Sequence, residues 1–263
     1  MAKNFDISNF VIDRPLRGLM LNSGDRSVMW SINQITNPSL NITTDKTDAV
    51  DALGAKIMTF ERAKNAEFSG ENSLFDLGLY AAQSGTEKQV ASAEKKIVTP
   101  IFEEIDVKDT KITLKHAPTG QITHIYELNA DSTLGARYEN GSEASETAFV
   151  HTAKATEITL PTSVTSGQVF VQYEYESEAA VAVTSTALEF PKAGIFLLEV
   201  LGADICDQSN LVHAYIEFPN AKLVSDVDLT FSTESTHNFT IQAMPNYCDR
   251  EKKLLRIIIP KED

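Results

Sequence analysis

At 263 residues with 42% hydrophobic content, the chain is long enough for one large β domain or two small ones, and its composition excludes disorder as the default state. A net charge of −14 excludes a phosphate-neutralising surface for tight nucleic-acid binding, though it leaves room for DNA as a passing neighbour. No run approaches the roughly 18 to 20 apolar residues of a membrane helix, and MAKNFDISNF lacks the basic and apolar regions of a signal peptide, so folding in a cytoplasm with no membrane partner is expected.

In chain order, SVMWSINQI (Ser27 to Ile35) alternates with Val28, Trp30 and Ile32 on one face, and SLNITT follows Pro38. The pair reads as two strands joined by a Thr36-Asn37-Pro38 turn. AKIMTFER and NAEFSGE predict two more strands, separated at Ala63 and Lys64. The one good helix candidate is LFDLGLYAAQS, capped by Asn72 or Ser73, with Leu74, Leu77 and Ala81 on one stripe and an end at Gly85. The charged stretch Thr86 to Thr110 then reads as a solvated connection and an internal boundary.

Beyond it, KITLKHAPTG, ITHIYELN, ARYENGSE, TAFVHTA, TEITLP and QVFVQYEYES recur at spacings near ten, the rhythm of an antiparallel sandwich or barrel. Asn140-Gly141 is a two-residue hairpin signal. In QVFVQYEYES, Val169, Val171, Tyr173 and Tyr175 form the core side, and Phe170, Gln172, Glu174 and Glu176 the wet side. Gly194 to Pro260 adds four or five strands. The fold class is mainly β, an antiparallel sandwich or barrel with one short flanking helix.

Candidate chemistry is sparse. Cys206 and Cys248 stand far apart with no CxxC partner and no His at ligand spacing; two reduced thiols are expected, with a disulfide or a metal site as the alternatives. His116, His124, His151, His213 and His237 are scattered singly, although His116 and His124 could meet across Pro118-Thr119-Gly120. Asp226 and Asp228 read as neighbours on one strand face, in solvent or at a cation site, Trp30 as an anchor of the core or of a seam between subunits, and Lys252, Lys253 and Arg256 as a local ion-pair network or a subunit contact. No nucleophile elbow, zincin helix, P-loop or dinucleotide fingerprint is present, so the expectation is a non-enzyme with no cofactor and no metal.

SINQITNPSLNITTDKTDAVDALGAKIMTFERAKNAEFSGENSLFDLGLYAAQSG, with its G-x-x-I-x-x-F and A-x-F-S patterns, resembles the major tail tube and tail structural proteins of long-tailed bacteriophages. The closing strands, with I-x-x-P-x-A-K in IEFPNAK, are similar as well. The resemblance covers about three quarters of the chain and is weaker over 110–185, which reads as an expanded loop region or an immunoglobulin-like insertion in a single domain spanning 1–263.

The resemblance implies a virion structural protein, made in the host cytoplasm and located in the tail. Its subunits would form a homo-oligomer of hexameric rings with a continuous inner β-barrel, stacked into a tube through which DNA passes without specific binding, in company with other tail proteins. It implies a contact loop between rings, Thr44 to Leu53, with Thr44, Asp45, Lys46, Asp48, Asp51 and Leu53. It also implies inner-barrel strands carrying Val28, Trp30, Ile32, Lys56, Met58 and Phe60. An acidic lumen drawing on Glu139, Glu143, Glu146, Glu174, Glu176, Glu178, Asp226 and Asp228 would repel phosphate. The reading from a different class is a capsid-decorating or host-adhesion β-sandwich that recognises a surface carbohydrate or a protein and displays Tyr126, Tyr138, Tyr173 and Tyr175.

Overall fold

A computed structural model of the chain describes residues 9–205, 207–230, 232–233, 235–247 and 250–260; Cys206 and Cys248 lie outside the described residues. The elements begin with β1 (Phe10–Leu21), β2 (Val28–Ile32), β3 (Ile35–Val50), β4 (Lys56–Asn72) and the helix α1 (Leu77–Gln83). Next come β5 (Gln89–Val90), β6 (Ile97–Asp106), β7 (Lys111–Thr113), β8 (His124–Leu128), β9 (Leu134–Asn140), β10 (Ala148–His151), β11 (Glu157–Thr159), β12 (Gln168–Ser177) and β13 (Val181–Ala182). The chain closes with β14 (Ala193–Asp204), β15 (Asp207–Leu223), β16 (His237–Ala243) and β17 (Arg256–Ile258). These elements form two compact units: Gln89–Ala182, and a second built from the chain on either side of it, through Lys88 and from Val183.

The outer segments make a mainly antiparallel, nearly closed sheet in the order β2-β1-β14-β15-β16-β4-β3, with β17 added against β15. Period-two alternation drives it: Phe196, Leu198 and Val200 of β14 are buried in turn, as are Phe239, Ile241 and Ala243 of β16. The core centres on Phe196, whose ring lies 5.9 Å from Trp30, 5.9 Å from Phe68 and 5.8 Å from Phe218. Three strands thus lock onto one side chain from β14, and Trp30 is the anchor its sequence position suggested.

The helix is one turn later than expected. Asp76 is the cap, its carboxylate accepting from the amides of Gly78 at 2.6 Å and Leu79 at 3.0 Å, while Leu74 is left exposed. Asp76, directly before the first helical residue Leu77, takes the role expected of Asn72, whose side chain instead accepts from the Leu74 amide at 3.4 Å. The end is where the glycine placed it, Gly85 taking φ +73 just past the helix.

Three strand readings change. β2 and β3 do not pair but stand at opposite ends of the strand order, because Asn37, at φ 49, is absorbed as a bulge between Thr36 and Ser39 and does not reverse the chain. The break expected at Ala63 and Lys64 is likewise only a register shift inside one strand, β4. Residues 224–228 form no strand, so Asp226 and Asp228 are exposed but do not share a sheet face.

The unit Gln89–Ala182 holds a seven-stranded sheet, β6-β12-β8-β9-β10-β11-β7, and the short pair β5-β13. Val169 and Val171 share a core with Ile125, Phe149, Ile112 and Ile158, so the sheet curls over itself. The stretch Thr86 to Thr110 is no simple connection: Ile97, Thr99, Ile101 and Ile105 turn inward along β6, between exposed partners. Asn140-Gly141 makes no two-residue hairpin, and β9 and β10 run parallel. The Asn140 side chain is taken up elsewhere, donating to His151 O at 3.0 Å and accepting from His151 N at 2.9 Å, as a strand peptide would.

Candidate functional site

β3 and β4 form one long hairpin whose base is core and whose outer half is bare. Ala66 and Phe68 are buried at the base, but from Asp45 to Asn65 only Ala49 is less than exposed. The bare part is a two-stranded ribbon of roughly 20 to 30 Å. Such a ribbon has marginal stability by itself in water, and here it carries Val50, Ile57, Met58 and Phe60, exposed at 57%, 67%, 55% and 44%.

Local bonds hold it in shape. Lys56 reaches Asp48 at 2.6 Å, and the Thr59 hydroxyl donates to the same carboxylate at 2.6 Å. Lys56 first and Thr59 second hold the Asp48 carboxyl below its usual range. At the tip, Asp51 accepts from the amides of Leu53 and Ala55, both at 2.8 Å, and Gly54 takes φ +84 to close the turn. That geometry leaves Leu53 94% exposed at the apex. Arg62 stacks over the Phe60 ring at 5.6 Å.

The residues expected to form the contact loop and half of those expected on the inner barrel thus meet on one hairpin. Thr44, Asp45, Lys46 and Asp48 are not in a loop but in β3; Asp51 and Leu53 make the turn; Lys56, Met58 and Phe60 return in β4. The Asp spacing masked a strand that Thr43, Thr44 and Thr47 favour. Trp30 and Ile32 are brought elsewhere, into the unit's own core at 8% and 2% exposure, while Val28 is 60% exposed beyond a register shift opposite Met20 and Leu21. Sequence reasoning also missed that β2 and β3 end the strand order with one edge unpaired. Beside β2, Val28–Ser31, Asp76, Ala82, Thr86 and Lys192 line a cleft of about 650 Å³.

The histidines occupy separate settings. His116 stacks on Tyr175 with centroids 4.0 Å apart, and His124 stands opposite Glu139. His151 is buried, accepting from Ile122 N at 3.1 Å through Nδ1 and donating to Ala155 O at 2.9 Å through Nε2. His213 Nδ1 lies 3.1 Å from Glu199. Among the described residues no three His, Cys, Asp or Glu converge on a metal-sized site, and no helix is long and apolar enough to cross a membrane. At the chain's end Arg256 pairs with Glu217 at 2.8 Å and Lys253 with Glu251 at 2.8 Å, ion pairs of the kind expected there.

A curved antiparallel sheet with unpaired edges, extending an uncovered ribbon, defines a β-rich protein with backbone and apolar groups left open at its edges. The chain belongs to the YomU/Tube protein family, whose model matches residues 17–257, a span that runs through both units. This agrees with the resemblance to bacteriophage tail tube proteins and carries a location in the virion tail with it. No curated protein matches the chain.

Proposed function

We propose that the protein is a tail tube subunit whose copies assemble into rings, hexameric as the resemblance implies, stacked into a conduit through which DNA leaves the virion. The observation that carries this reading is the ribbon Asp45–Asn65, ordered by its own bonds yet left uncovered by its own chain. Its apolar residues gain about 25 cal/mol for each Å² that a neighbouring copy covers, and the free edges of β2 and β3 offer backbone groups for the same neighbour. A net charge of −14 suits a passage that must not hold phosphate.

The contact role falls on both arms of the ribbon, from Thr44, Asp45, Lys46, Asp48, Asp51 and Leu53 to Lys56, Met58 and Phe60. Trp30 and Ile32 serve as core, and β2 contributes through its edge. Electron microscopy of the concentrated protein tests the reading: rings or hollow tubes are expected. Because Thr44 pairs with Lys64, removing 45–63 and joining those residues through a two-residue Asn-Gly turn shortens the hairpin without touching the core. That variant should stay folded and monomeric; tubes of normal appearance from it would remove the ribbon from the assembly.

A further inference from the structure

The unit Gln89–Ala182 displays a row of rings on the face its core does not use. With Val169, Val171, Tyr173 and Ile125 turned inward, the intervening residues of β12 and β8 face out. Phe170 stands opposite Tyr126 and stacks on Phe102 of β6, centroids 5.9 Å apart and planes 18° from parallel. Glu104 continues the row beyond Phe170, and Arg137 continues it beyond Tyr126. Gln172 lies opposite Phe102, and Phe102 itself is 65% exposed. This is not the tyrosine cluster the sequence suggested: Tyr138 and Tyr173 are core residues at 8% and 6% exposure, and only Tyr126 of those four joins the row.

We propose that this row binds a neutral polysaccharide. A pyranose ring presents a face of C–H groups with slight positive charge, which lies flat on the negative face of an aromatic ring. Its hydroxyls project around the edge, where Gln172, Glu104 and Arg137 supply donors and acceptors. Size argues against a protein occupant. Three partly covered rings offer a few hundred Å², against the roughly 800 Å² per partner of a stable protein interface. The row is also bounded by charge, with Glu104 at one end and Arg137, paired to Glu139 at 2.8 Å, at the other. Charge argues against a polyanion: residues 89–182 hold 7 Lys and Arg against 14 Asp and Glu.

The proposal stands apart from tube assembly and is tested with the full chain. Calorimetric titration with cellohexaose, chitohexaose and maltohexaose, and with polyglycerol phosphate as the anionic comparison, is expected to show binding of at least one neutral oligosaccharide and none of the polyanion. Phe102→Ala and Tyr126→Ala should each weaken that binding by roughly tenfold or more, the scale of one lost ring contact, and Gln172→Ala should weaken it less. Phe102 is exposed, so its variant should keep the parent's thermal midpoint, and light scattering should show its oligomeric state unchanged. Failure of all three neutral probes, binding of the polyanion alone, or undiminished affinity in both ring variants would overturn the assignment. A change of oligomeric state in Phe102→Ala would overturn it too, making the row a contact between copies.

Discussion

Glu103 is a carboxylate at 5% exposure, and two donors hold it: the Tyr173 hydroxyl and the Lys115 amide at 3.1 Å. Burial, followed by the bond to Glu103, pushes the Tyr173 hydroxyl well above its usual range, so it stays a donor at any physiological pH. Tyr173→Phe keeps the ring but strips one partner from the carboxylate; a loss of about 1–3 kcal/mol is expected in urea unfolding, and an unchanged midpoint would show the bond to be dispensable. His237 makes the opposite case. It is fully buried, with Nε2 against the Gln83 side chain and Nδ1 unpartnered, and burial lowers its pKa from the ordinary 6.5, with Asp76 acting weakly the other way. The unfolded chain therefore binds the proton more readily than the folded one. Stability from this site is complete above about pH 6.5 and falls as pH drops through the lowered value. His237→Gln should flatten that part of a thermal-midpoint profile between pH 7 and 5; an unaltered slope would assign the loss to other groups. Neither partnership could be read from sequence, since Glu103 and Tyr173 are 70 positions apart and Gln83 and His237 are 154 apart. What sequence did show was the face of Tyr173, because alternation within a strand is local.

The ribbon shows why local pattern is a weaker guide to elements than to faces. Thr44 to Leu53 reads as a loop because Asp45, Asp48 and Asp51 interrupt any apolar alternation, and a strand buried on neither face has no alternation to show. The same logic joined what had looked like two strands into β4, since a bulge and a break leave similar marks on a sequence. An element with no cover should also be locally unstable. In the dispersed subunit, amides of Thr47 to Val50 and Lys56 to Phe60 are expected to exchange with solvent within seconds, while those of Leu198 and Ile216 exchange only with global unfolding. On assembly the ribbon amides should become protected. Equal and slow exchange along the whole hairpin before assembly would mean that the ribbon is stable without a neighbour. Asp48→Ala, by contrast, should leave the thermal midpoint unchanged, because its partner Lys56 is an exposed lysine.

At the scale of the whole molecule, two hydrophobic cores share no residue: one gathers around Phe196, the other around Phe149 and Val169. The charged stretch Thr86 to Thr110 suggested an internal boundary; β6 runs through its later part, with Glu103 drawn into the core side by Tyr173. The crossings between units lie at the start of that stretch, at Lys88, and at Val183, and there the structure gives a reason for independence. β5 and β13 pair antiparallel, Gln89 opposite Ala182 and Val90 opposite Val181. The chain therefore leaves the first unit and returns to it at neighbouring positions, about 5 Å apart for paired strands. Replacing 89–182 by two or three glycines need not stretch any flanking segment and removes no residue of the Phe196 core. The shortened protein should unfold cooperatively by calorimetry with a midpoint close to one transition of the full chain, and the fragment 89–182 should give another. Both pieces melting without a cooperative transition would show that the two cores depend on each other despite sharing no side chain. A shortened protein that folds and still forms tubes would place assembly wholly in the outer unit, where the ribbon is.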